Sequence, residues 1–344
     1  MKIEKTVIAQ DERHYLAWPD LIQTRTGRLL CVFSSCTHHC DRSYTQIMVC
    51  FSDDEGASWS KPLGASEPCG LAATGYYYNN ATLSQLADGR IALAYDRIDG
   101  KDEDRAPTYI MLTFSQDDGA TWSSPVATPA VGIVPDRLLE TASGRWLLAC
   151  HRYNEATGKL VQRLWFSDDR GGSWQGPVIV AASTELNLCE GDLLEVSPGT
   201  LVCWMRENSF TGLPCYRSVS TDDGLSWSEP TPFPLPACHR PKAGFLADGR
   251  IAITYRFFPG GNTYPQNTFL ALTDRASALE PDYRFCRTRI LLLDHDAAAR
   301  SDTGYTGWCQ LADGSLFIAN YIKDTFPQAW IRGYRVTLEE PLPE

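Results

Sequence analysis

Six times in its 344 residues the chain repeats one pattern, an apolar run, a two-residue turn ending in glycine, then a second apolar run. The copies are PDLIQTRTGRLLCVF, NATLSQLADGRIALAY, DRLLETASGRWLLAC, GDLLEVSPGTLVCWM, PKAGFLADGRIAITY and TGWCQLADGSLFIAN. Their turn glycines, Gly27, Gly89, Gly144, Gly199, Gly249 and Gly314, stand 50 to 65 residues apart, which predicts six hairpins. In the first four units a third strand-like run follows, and after it a polar octet. Short strands repeated at this period bury their faces only against neighbouring units, so the expected fold is all-β, a six-bladed β-propeller. Residues 1–344 are read as one such domain. The last unit is short of an outer strand, and residues 2–9 are expected to supply it.

The octets are SDDEGASW (Ser52–Trp59), SQDDGATW (Ser115–Trp122), SDDRGGSW (Ser167–Trp174) and STDDGLSW (Ser220–Trp227). Four copies cannot all be one active site. In the second, the Asp117-Asp118-Gly119 core favours a tight turn, the serine and aspartate side chains can cap backbone amides, and Trp122 can pack between sheets. The octets are therefore read as scaffold.

Net charge is −11, from 31 basic and 42 acidic side chains, and no Lys/Arg cluster is present. This disfavours nucleic acid as a partner while leaving room for a small anion held by local arginines. The N-terminus, MKIEKTVIAQ, alternates charged and apolar residues, and no segment approaches the roughly 18 apolar residues that span a bilayer. A soluble, unexported, cytoplasmic protein with no membrane partner is expected. Of twelve cysteines, Cys31, Cys50, Cys150, Cys203 and Cys309 lie in or at the end of apolar runs, as reduced, buried thiols would in a reducing compartment.

In a propeller blade, the start of the first strand and the end of the second emerge on one face near the axis. Counting nine residues back from each turn glycine gives Trp18, Asn80, Pro135, Glu190, Arg240 and Tyr305; counting seven forward gives Ser34, Asp96, His151, Arg206, Arg256 and Tyr321. These twelve are expected to line one cup, and the share of charged and phenolic groups is unusual for strand ends. For Arg256 and Asp96 a structural role, such as pairing with an opposite charge of a neighbouring blade, accounts for the residue as well as a functional one does. Nothing structural requires Arg206, Arg240, Glu190 and Tyr305 at equivalent positions.

The octet is similar to the Asp-box, or bacterial neuraminidase repeat, of the sialidase superfamily, Ser-x-Asp-x-Gly-x-Thr/Ser-Trp. The resemblance extends to the site. Sialidases carry a glutamate with an arginine sixteen residues later, as Glu190 and Arg206 stand, a nucleophilic tyrosine nine residues before the last hairpin glycine, as Tyr305 stands, and a further arginine on the blade between, where Arg240 sits. The resemblance implies Tyr305 as nucleophile, Glu190 as the base that takes its proton, and Arg206 with Arg240 as clamp on a substrate carboxylate. A phenol suits a sugar whose anomeric carbon bears a carboxylate, because an anionic nucleophile would be repelled. A guanidinium fork meets a carboxylate with two parallel hydrogen bonds.

The match fails in the first blade. Sialidases there read Phe/Tyr-Arg-Ile-Pro, whereas this chain reads Leu16-Ala17-Trp18-Pro19, so Ala17 replaces one arginine of the triad. Arg256, Arg137 and Arg13 are the candidate replacements. The acid/base aspartate of sialidases lies in a loop that here reads SSCTHHCDRSYTQ, which offers Asp41, His38 and His39, with His151 a fourth candidate. A metal site on Cys36, His38, His39 and Cys40 competes, but its spacing is not typical of zinc. The leading expectation is an exo-glycosidase that removes a terminal acidic sugar with retention and needs no metal or organic cofactor, its partner being an acidic glycan or glycoside. Two other readings are a hydrolase or lyase acting on uronic-acid glycans with a histidine acid/base, and a propeller that only binds carbohydrate.

Overall fold

Each glycine turn closes a hairpin, and each hairpin is half of a four-stranded antiparallel sheet; the computed structural model describes residues 1–103, 105–260 and 265–338. The first strands are Tyr15–Gln23, Tyr77–Gln85, Leu139–Glu140, Leu188–Ser197, Cys238–Phe245 and Thr306–Gln310. Their partners are Leu29–His38, Ile91–Ile98, Trp146–Asn154, Thr200–Glu207, Ile251–Phe257 and Leu316–Ile322. The six sheets make a six-bladed β-propeller. Lys2–Ala9 pairs antiparallel with Trp330–Thr337 and supplies the outer strand of the last sheet.

The contacts gather into two compact units. One holds Met1–Thr128, Ile133–Pro135 and residues 296–338; the other holds Pro129–Gly132 and Asp136–His295. The first is packed around Phe33, Phe317 and Tyr321 on one side and Leu93 and Tyr95 on the other, the second around Trp204, Tyr255 and Leu201. First and second strands such as Tyr15–Gln23 and Leu29–His38 are buried along most of their length, while fourth strands such as Val126–Ala127 are exposed. Burial on both faces explains why these runs are continuously apolar rather than alternating. Among the described residues no helix is long and apolar enough to cross a membrane, and no disulfide joins the twelve cysteines.

The hairpin loops correct one expectation. Five of the six are three-residue loops, as where the Thr24 amide donates to Arg28 O and Gly27 N to Thr24 O, with Gly27 at φ 92°. The glycine is the left-handed residue that follows a type I turn. Only Pro198-Gly199, between the paired residues Ser197 and Thr200, is a two-residue turn.

The octets are scaffold, as read. In the second, Ser115 Oγ donates to Asp117 Oδ1 (2.8 Å) and accepts from Gly119 N (2.9 Å), while Asp117 also receives Thr121 N (2.9 Å) and Thr121 Oγ1 (2.6 Å). The other three repeat this set. A side chain at Gly56 would collide with Phe317 of the neighbouring sheet, and Trp59 packs on that ring at 5.7 Å.

Four first strands carry the same bulge. Between Ala17↔Ser34 and Asp20↔Val32 the first strand advances one residue more than its partner, and the slip recurs at Asn79/Thr82, Cys189/Asp192 and His239/Lys242. The bulged residues are Trp18, Asn80, Glu190 and Arg240, at φ 53°, 47°, 49° and 48°. Val134 (φ 52°) and Gly304 (φ 100°) hold the matching conformation in the third and sixth units, one residue earlier than the count from the turn glycine had placed it. Two residues after the bulge stands, in three units, a buried aspartate that reaches the next strand. Asp20 accepts from Leu21 N and Leu83 N (2.9 Å each), Asp136 from Leu193 N (2.6 Å), and Asp192 from Ala243 N (2.8 Å).

Left-handed backbone is ordinary for Asn or Gly but costs other residues about 1–3 kcal/mol. At Arg240, glycine should therefore be more stable than alanine by about 1 kcal/mol, the reverse of an ordinary strand position. Urea unfolding of Arg240→Gly and Arg240→Ala checks this, and equal or greater stability of the alanine variant contradicts it.

Candidate functional site

In the second unit the bulge aims Glu190 and Arg240, and the adjoining strand end brings Arg206 opposite Cys189 and Arg256 opposite His239. All four side chains are buried. Arg206 Nη1 donates to Glu190 Oε1 at 2.8 Å, so the glutamate and arginine paired by their sixteen-residue spacing do meet. His151 Nδ1 accepts the Glu190 amide (3.2 Å). Burial above all, then Arg206, Arg240 and Arg163, push the His151 pKa down to about 4 against the opposing pull of Glu190. Burial, with Arg206 and Arg256, drives His239 well below the usual imidazole range. Both imidazoles are thus neutral at neutral pH, and the Nδ1 of His151 is taken by the Glu190 amide. The unit concentrates guanidinium charge in a chain whose net charge is −11.

In the first unit the bulge aims Trp18. Its ring meets His39 edge-on at 5.2 Å and Tyr321 at 6.2 Å, and the Arg42 guanidinium lies 4.7 Å above it. Arg42 Nη1 donates to the carbonyls of His38 (2.6 Å) and His39 (2.7 Å). Tyr305 is buried, its ring 6.2 Å from that of Tyr321. Tyr321 Oη donates to Asp302 Oδ1 (2.6 Å), while Tyr15 Oη and His39 Nδ1 both hydrogen-bond to Asp302 Oδ2.

The remaining candidates divide by what they already hold. Asp96 is fully buried and accepts from Asn80 Nδ2 (3.0 Å) and Val134 N (2.8 Å), so this pair braces the backbone rather than facing a ligand. Arg137 donates to Leu193 O (2.8 Å) and Ala243 O (3.3 Å), tying successive first strands together. Arg13 and His38 are exposed. Asp41 is exposed too, and hydrogen bonds from Ser43 Oγ and N hold its carboxyl below the ordinary range, so it is ionised and has no proton to donate. Cys36 Sγ bonds the carbonyls of Tyr15 and His38 while Cys40 is exposed, and among the described residues no group of three His, Cys, Asp or Glu is placed to hold a metal ion. Sequence reasoning missed Asp302, Tyr15 and Arg42. Asp302 had a signal in standing three residues before Tyr305, and Arg42 adjoins Asp41, but neither lies at the counted strand ends.

Fold and repeats define a propeller built on Asp-box turns. The chain belongs to the BNR repeat-like domain family, whose model matches residues 27–257. In structure it is similar to a protein of unknown function from Dyadobacter fermentans DSM 18053, at 19% identity and TM-score 0.78 over 98% of this chain and 99% of that one. It is also similar to the Hadza microbial sialidase Hz136 (18% identity, TM-score 0.69, 94% of this chain and 66% of that). The α-L-arabinofuranosidase Arb93A from Fusarium graminearum gives 12% identity and TM-score 0.68 over 98% of each chain. At these identities the likeness is one of fold. No curated protein matches the sequence.

Burial raises the Asp96 pKa to about 7. A carboxyl raised in the folded state keeps a proton that the unfolded chain has lost between about pH 4 and 7, so its contribution to stability falls as pH rises through that window and levels off above it. Asp96→Asn, which keeps an acceptor for Val134 N, should gain stability relative to wild type between about pH 5 and 8, read as the difference in urea midpoints. A pH-independent difference would show that Asp96 does not titrate there.

Proposed function

We propose that this protein is a sialidase-like exo-glycosidase that removes a terminal acidic sugar. One observation carries the reading. Arg206, Arg240 and Arg256 are buried around neutral His151 and His239, with Glu190 as the carboxylate that offsets them at His151, an arrangement that suits an anionic group of a ligand. The left-handed backbone that aims Glu190, Arg240 and Trp18 adds to it, because backbone strain of this kind gathers at functional sites. The family and the sialidases among proteins of like fold support a glycoside as substrate.

Tyr305 is assigned as nucleophile and Glu190 as its base. Arg206 and Arg240 are assigned to the substrate carboxylate, with Arg256 beside them. The buried Arg206–Glu190 bond gives Arg206 a second task, holding Glu190 in place. Trp18, at the position next to Ala17, is buried beneath the Arg42 guanidinium and is assigned to the wall of the site. A second reading, a uronic-acid hydrolase or lyase, is favoured by one feature, the hydrogen-bonded His39–Asp302 pair.

Arg240→Ala is expected to lower kcat/KM roughly 10- to 100-fold on an acidic glycoside and far less on a neutral one. Equal losses on both would remove the carboxylate clamp. Tyr305→Phe is expected to abolish turnover with an unchanged circular dichroism spectrum; full activity would exclude Tyr305 as nucleophile.

A further inference from the structure

We propose that His39 is the proton-transfer residue of this site and that Asp302 is the carboxylate that positions it. The proposal rests on the glycosidase reading and deepens it. His39 and Asp302 are 263 residues apart in sequence, yet His39 Nδ1 hydrogen-bonds to Asp302 Oδ2. Tyr15 donates to the same oxygen and Tyr321 donates to the other at 2.6 Å.

An ionised carboxylate only accepts, so three donors converging on Asp302 fix the hydrogen of the neutral imidazole on Nδ1. Nε2 is then left for chemistry. Asp302 is itself anchored. Its amide donates to Asp296 Oδ2 (2.8 Å), and Asp296 Oδ1 takes the amides of Ala298 (3.0 Å) and Asp324 (2.8 Å).

The ring of His39 is held on its other sides by the Trp18 edge and by Tyr15 at 6.1 Å, and its backbone carbonyl by Arg42. The groups packed around the pair that carry charge or titrate are Tyr15, Tyr321, Arg42, Cys36 and His38. The His39 side chain is 36% exposed, so a substrate can reach it, whereas that of Asp302 is 15% exposed. Of the four candidate proton donors, His39 alone combines access with a fixed tautomer. Asp41 is held ionised, the Nδ1 of His151 is committed to Glu190, and His38 is exposed and offers only its carbonyl to Arg42.

In the reaction, protonated His39 gives its Nε2 proton to the glycosidic oxygen as the bond from that oxygen to the anomeric carbon breaks. The electron pair stays on the departing oxygen, and the carbon is taken by the nucleophile. In the second half, neutral Nε2 takes a proton from the water that attacks the same carbon, which restores the imidazolium.

The test uses the full chain and two N-acetylneuraminic acid glycosides, one with a methylumbelliferyl leaving group and one with lactose. His39→Gln is expected to lose at least roughly 100-fold in kcat/KM, which reports bond cleavage and not the later attack of water, on the lactose glycoside and less than roughly 10-fold on the methylumbelliferyl one, whose leaving group departs without a proton. Asp302→Asn should show the same split in weaker form, and Asp302→Glu should recover part of it. Equal losses on both glycosides would overturn the proton-transfer role. Histidine-selective nitrogen–proton correlation NMR, with the His39 signal identified by its absence from His39→Gln, reads the pair without any turnover. In the neutral imidazole, reached by raising the pH until the ring carries one hydrogen, that hydrogen is expected on Nδ1 in the wild type and redistributed in Asp302→Asn; a neutral wild-type ring with its hydrogen on Nε2 would overturn the positioning role. If wild type turns over neither glycoside, the sialidase reading fails and His39's role in it falls too, while the NMR result still decides the pair.

Discussion

A bulge in the first strand, with a carboxylate buried two residues behind it, is the constraint on which both units hang. The bulge turns one side chain out of the pleat, and the aspartate behind it takes the amide of the following first strand, as Asp20 does at Leu83 and Asp192 at Ala243. One device therefore sets both how neighbouring sheets meet and where the side chains of the candidate site point. Where the aspartate is missing, the close approach is met in other ways. Gly307 has no side chain because one would strike the Leu21 amide and Asp20.

The fold was legible because each of its parts repeats. Turn glycines must adopt left-handed backbone, octet serines and aspartates must bond their own amides, and buried strands must be apolar on both faces, so the same residues recur at the same spacing. The candidate site was legible to the extent that it uses those repeated positions, as Glu190, Arg206, Arg240 and Trp18 do. Asp96 and Asn80 occupy equivalent positions and yet close on each other and on Val134 N, a distinction that residue type does not express. The third and sixth units shift the bulge by one residue, which counting from the turn could not show. Asp302 was illegible for another reason: it lies outside the repeat, and its partners Tyr15, His39 and Tyr321 come from distant stretches of the chain.

Electrostatics gives the two units different characters. The second gathers guanidinium groups around two histidines that burial first, and those groups after it, keep neutral, which suits the holding of an anion. The first gathers two phenols and a histidine on one carboxylate, with an indole edge-on to that histidine, which suits proton movement. Where the resemblance would place an arginine, the first unit has Ala17, and beside it the Trp18 ring carries the Arg42 guanidinium at 4.7 Å.

The central claim is that the buried arginines recognise a carboxylate. Calorimetric titration of the wild-type protein with the planar-ring, unsaturated analogue of N-acetylneuraminic acid, and with the methyl ester of that analogue, tests it most directly. The account predicts that the free acid binds at least roughly 10-fold more tightly than the ester. Equal affinity for acid and ester would contradict it.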